Sequence, residues 1–72
     1  MSTRRSRFVS KLKTLRYRFH DETDRTYVFR RGEHRVYVPK RSDLDDDWVE
    51  STLRACGCLE DDIATFLRGH KG

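Results

Sequence analysis

Arg16 and Arg18, then Arg30, Arg35 and Tyr37, then Lys40 and Arg41 are the residues of this chain whose types and spacing suit an anionic polymer. A guanidinium fork donates several charge-assisted hydrogen bonds to a phosphate or carboxylate, and a tyrosine among such forks adds an aromatic face. Arg4, Arg5 and Arg7 carry the same chemistry towards the N-terminus. They lie in a stretch without apolar periodicity, which reads as a flexible basic arm over residues 1–7 that adds phosphate contacts without sequence information.

Other polar clusters have simpler explanations. Cys56-Gly57-Cys58 contains both cysteines of the chain. Neither the count nor the spacing makes a disulfide framework, and two thiolates fall short of the four ligands of a structural zinc site. Cys56 reads as a core-facing thiol. The run Asp45-Asp46-Asp47 resembles a metal-binding cluster, but these residues would fill the first turn of a helix, where the helix dipole favours negative charge. No metal and no cofactor is expected.

The elements that must position the arginines follow from periodicity. In Arg25 to Arg41, β-formers alternate (Tyr27, Phe29, then Val36, Val38) about Arg31-Gly32-Glu33, predicting a hairpin. Folding it so that Phe29 faces His34 and Tyr27 faces Val36 collects the apolar residues on one face. Thr26, Val28, Arg30, Arg35 and Tyr37 then share the other. Residues 16–20 alternate likewise, so Tyr17 and Phe19 should point inward and Arg16, Arg18 and His20 outward, with Phe19 opposite Arg25. A helix capped by Ser6 is expected from Phe8, Leu12 and Leu15, and a second, starting near Leu44 or Asp45, from Trp48, Val49, Thr52, Leu53 and Cys56. Gly57 would end the second, and residues 60–67 give a short third helix.

The predicted class is therefore α+β: an αβββα domain over residues 8–67 with a three-stranded antiparallel sheet, two main helices on one face, a short C-terminal helix and a tail over 68–72. The other sheet face is left to solvent.

Charge is distributed unevenly. Residues 1–41 carry a balance of +9 and residues 42–72 one of −5, within a net +4. This asymmetry suggests a basic surface for nucleic acid or anionic lipid and an acidic segment facing elsewhere. No apolar run approaches the roughly 18 residues that cross a bilayer, so no membrane partner and a cytoplasmic location are expected. A domain this small has an economical core, which makes homo-oligomers or another protein partner plausible.

The order of elements, with Arg35-Val36-Tyr37-Val38-Pro39 leaving the sheet and Ser51-Thr52-Leu53-Arg54-Ala55-Cys56-Gly57-Cys58 ending a helix, resembles the HicA toxins. The similarity covers about residues 8–67 and is strongest over 35–58. It implies a double-stranded-RNA-binding-domain-like fold, mRNA as substrate and an antitoxin as partner. The family's catalytic histidine lies in a Gly-Ser-His near the start of the second strand. Here that place reads Thr23-Asp24-Arg25, so the histidine is missing when strands are matched by length. Aligning Gly32-Glu33-His34 instead leaves no residues for a third strand before Pro39. Metal-independent RNA cleavage needs a general base and acid, which an imidazole titrating near neutrality can supply. His34 is the catalytic candidate, with His20 the other imidazole in the folded body.

Three functions follow as expectations. The first is a small nucleic-acid-binding, HicA-like protein, with RNA expected ahead of DNA, that uses its basic sheet face and N-terminal arm. The second is an active mRNA interferase neutralised by an antitoxin. The third is a protein-interaction or inhibitor module of a mobile element.

Overall fold

The computed structural model describes residues 2–68. Its elements in chain order are β1 (Ser2–Arg4), α1 (Arg5–Thr14), β2 (Arg18–Glu22), β3 (Thr26–Arg31), β4 (His34–Pro39), β5 (Asp43–Asp45), α2 (Asp46–Ala55) and α3 (Glu60–Arg68). The three long strands form an antiparallel meander in the order β2-β3-β4, and β1 pairs antiparallel with β5 in a separate two-stranded sheet. The α+β class is as expected, with two short strands added to the αβββα order. Of the expected tail, Arg68 ends α3 and residues 69–72 lie outside the described residues.

One face of the meander is covered. Phe8 and Leu12 from α1, Val49 and Leu53 from α2, Cys56 beyond it and Ile63 from α3 pack on Phe29, Val36 and Val38 of the sheet. This follows from period: residues at i and i+4 in the helices meet alternate residues in the strands, so one stripe and one face close on each other. Trp48 seals the margin by meeting Phe8 edge to face at 5.2 Å.

The expected flexible arm is instead part of the fold. Thr3 is opposite Leu44 and both are buried, Arg4 is opposite Asp43, and the Arg5 amide donates to the Ser42 carbonyl. A stretch of three residues has too short a period to be read from the chain, and its partner strand lies about forty residues away. Both short strands run directly into helices, so α1 starts at Arg5 with no side-chain cap from Ser6, and α2 starts at Asp46, with Leu44 in β5.

Both helices of the main layer end in the same way. After α2, Cys58 N–H donates to the Leu53 carbonyl and Gly57 N–H to that of Arg54, with Gly57 at φ 94°. After α1, Tyr17 N–H donates to Leu12 and Arg16 N–H to Lys13, with Arg16 at φ 75°. This paired pattern with a left-handed residue is the Schellman termination, for which glycine is the usual choice. Arg16 is the one non-glycine residue at positive φ among the described residues.

Two registers differ from expectation. In the β3–β4 hairpin, Phe29 faces Val36 and Arg31 faces His34, leaving Gly32-Glu33 as a two-residue turn. With Gly32 at φ 60° first in that turn, the hairpin takes the tight connection whose twist suits its strands. The displacement is two residues, which preserves the expected faces. Strand β2 differs more: Arg18 faces Arg30 and Phe19 faces Phe29, then the register slips so that Asp21 faces Val28, with His20 as a bulge. Tyr17 lies before the strand and is buried, whereas Phe19, expected inward, is 56% exposed at the sheet's margin.

Candidate functional site

The register places Arg18, Arg30 and Arg35 directly opposite one another across β2, β3 and β4. Residues directly opposed in antiparallel strands put their side chains on the same face, here the one without helices. All three arginines are exposed, and among the described residues none of them has a carboxylate partner. Like charges set directly opposite each other oppose sheet pairing, so this row is a cost to the fold. The adjoining row on the same face is Asp21, Val28 and Tyr37, with Tyr37 52% exposed.

Arg16 extends the cationic row around the end of β2. A hollow at this end is bordered by Arg16, Arg18, Phe19, His20 and Arg30, and a neighbouring one by Lys13, Arg16, Arg18 and Phe19. Lys13 and Phe19 were not among the expected site residues. Phe19 keeps the expected inward parity, directly opposite Phe29, but lies at the margin of the sheet and stays exposed, which alternation alone does not reveal.

The remaining arginines of the expected site are employed elsewhere. Arg5 donates to the carbonyls of Lys40 (2.5 Å) and Arg41 (3.4 Å) and lies over the Tyr27 ring at 5.3 Å, on the covered side. Arg7 donates to the Phe66 carbonyl near the end of α3 and stacks on the Phe66 ring at 4.1 Å. These two side chains hold elements together. Arg4 is exposed on β1. Lys40 pairs with Glu22 at 2.6 Å, while Arg41 is exposed at the opposite end of the sheet beside Arg25 and Thr26. The structure thus gathers Arg16, Arg18, Arg30, Arg35 and Tyr37, and separates them from Arg4, Arg5, Arg7, Lys40 and Arg41.

His34 stands on the parity of the covered face, at the turn end of β4. Its Nδ1 is hydrogen-bonded to the Tyr17 hydroxyl, and the two rings meet edge to face at 5.7 Å and 72°. Burial, with the Cys56 thiol alongside, pushes the Tyr17 hydroxyl up to about 12. It therefore remains neutral at physiological pH and orients the imidazole, but it is a poor proton donor for a leaving group. Among the described residues Tyr17 is the only side chain hydrogen-bonded to His34.

Arg31 completes this corner. It lies over the Tyr17 ring at 4.7 Å and donates to the carbonyls of Leu15 (3.0 Å) and Cys56 (3.1 Å). One guanidinium thereby satisfies the last carbonyls of both main helices, which have no partner within their own helix. Burial raises both thiols: Cys56 is held in the core, and Cys58 is further raised by Asp62. Both are free thiols with little thiolate at neutral pH. Among the described residues, no three His, Cys, Asp or Glu side chains come together as a metal site.

No helix among the described residues is long and apolar enough to cross a membrane. Set against known protein families, curated proteins and solved structures, the chain matches none.

Proposed function

We propose that this chain is a nucleic-acid-binding module whose binding surface is the open face of the β2-β3-β4 sheet, RNA being the polymer implied by its HicA-like pattern. The observation that carries the reading is the Arg18-Arg30-Arg35 row: three exposed cations, directly opposed and, among the described residues, without carboxylate partners. Opposed like charges weaken strand pairing, and a polyanion laid across them turns that repulsion into attraction. A carboxylate-rich protein surface could also neutralise them, but the neighbouring exposed Tyr37 suits the flat faces of bases.

Backbone phosphates supply most of the affinity on this reading, so binding falls steeply with salt. The triple substitution Arg18→Glu, Arg30→Glu and Arg35→Glu should abolish RNA binding in a fluorescence anisotropy titration while leaving the far-ultraviolet circular dichroism unchanged. Single Arg→Ala changes should each reduce the slope of log K against log salt by about 1. Retained affinity in the triple variant would sink this surface.

A further inference from the structure

Val28 belongs to the open face by register, facing Asp21 on one side and Tyr37 on the other. It is nevertheless only 3% exposed, and it stands apart from the core cluster on the helix side. Among the described residues no helix contributes to its surroundings in the core cluster, and Tyr37 stands directly opposite it on β4. Tyr37 keeps 52% of its own surface in water. Half of the Tyr37 surface is thus open to a ligand on the face that carries the arginine row. Arg35 lies two residues before it on β4 and begins the cationic row.

We propose that this face takes single-stranded nucleic acid, with an unstacked base laid on Tyr37 and consecutive backbone phosphates on Arg35, Arg30 and Arg18. The inference rests on the nucleic-acid reading and makes it specific. Base faces in a duplex are covered by their neighbours in the stack, so a sheet-borne tyrosine has nothing to stack on there and only the phosphates remain within reach. In a single strand every base has an open π-face, and an aromatic flanked by cations is the arrangement that uses it. Neighbouring strands lie about 4.8 Å apart, so the row spans about 10 Å and matches a short length of one polymer strand.

The test uses the full chain at one fixed salt concentration. Its probes are labelled RNA of about 12 nucleotides that cannot pair with itself, the corresponding RNA duplex, and the DNA counterparts of both. Anisotropy should show the single strands bound about tenfold or more tighter than the duplexes. Tyr37→Ala should weaken single-strand binding about tenfold and leave duplex binding unchanged. Tyr37→Leu, which keeps an apolar side chain opposite Val28 but has no π-face, should lose as much as Tyr37→Ala, while Tyr37→Phe should bind as the parent does. Duplex binding as tight as single-strand binding, or full affinity in Tyr37→Leu, would overturn the single-strand inference and leave the cationic surface standing. Binding to none of the four probes would overturn the nucleic-acid reading beneath it.

Discussion

Arg16 occupies the position after α1 that Gly57 occupies after α2, and a side chain there carries a steric cost that glycine avoids. Arg16 borders a hollow with Arg18 and Arg30, so the strained position adds a cation beside the arginine row. Arg16→Gly should therefore raise stability by about 1 kcal/mol, a gain of roughly 4–8 °C in Tm for a domain of this size. The same change should lower RNA affinity and the salt slope by about one contact. A variant that melts at the parental temperature would show that the left-handed backbone is not strained.

Tyr17 sets a second condition at this scale. Its hydroxyl ionises near 10 in an unfolded chain, whereas burial first, and then the Cys56 thiol, push it up to about 12 in the folded one. Between those values the unfolded state has released the proton and the folded state still holds it. The contribution to stability is thus complete below about pH 10 and is lost as pH rises through about 12. Cys56 and Cys58, also raised by burial, act in the same direction. Thermal melts of the parent should fall over this range, and Tyr17→Phe should flatten the fall. A parallel decline in both proteins would place the alkaline sensitivity elsewhere.

At the scale of elements, the first four residues separate two roles that the sequence alone treats alike. As a strand, Ser2–Arg4 pairs with Asp43–Asp45, buries Thr3, and lets Thr3 Oγ1 donate to Asp46 Oδ1 at 2.8 Å. Deleting residues 1–4 should accordingly cost at least about 1 kcal/mol, which calorimetry reads as a Tm lowered by roughly 4 °C or more. An unchanged Tm with weaker RNA binding would restore the arm. The longer elements were legible because their apolar residues repeat at one period throughout: Phe8 and Leu12, Tyr27 and Phe29, Val36 and Val38, Val49 and Leu53. Strand β2 was only half legible, since Arg16 ends a helix where glycine is customary and His20 adds a residue that shifts the parity. Both are single-residue departures from period, and no alternation rule detects them.

Across the whole molecule, charge follows the layers. The open sheet face carries the arginine row, while α2 and α3 begin with Asp46-Asp47 and Glu60-Asp61-Asp62 on the helix side. The latter group is also bound into the fold: Arg54 links Glu50 and Glu60 at 2.7 Å each, and Lys11 reaches Asp62 at 3.0 Å. A charge distribution of this kind orients an approaching polyanion towards the sheet. The sequence exposed the imbalance between its halves and the parity of Arg30, Arg35 and Tyr37. It could not separate the arginines of the open face from Arg5, Arg7 and Arg31, which bind backbone carbonyls and stack on rings. That distinction depends on which carbonyls and aromatic faces lie within reach after folding, and those partners are distant in sequence.

The two outer edges of the meander also differ in how they resist self-association. On β2 the bulge at His20 breaks the line of backbone groups, a common obstacle to adding another strand. On β4 the run from His34 to Pro39 is unbroken, and only the closing proline interrupts its donors. Two chains meeting antiparallel along that edge would bring a second Arg18-Arg30-Arg35 row onto a continuous sheet face, with the two Arg35 guanidinium groups on strands adjoining the seam. Strand addition is therefore opposed at one edge by shape and at the other by repulsion between like charges.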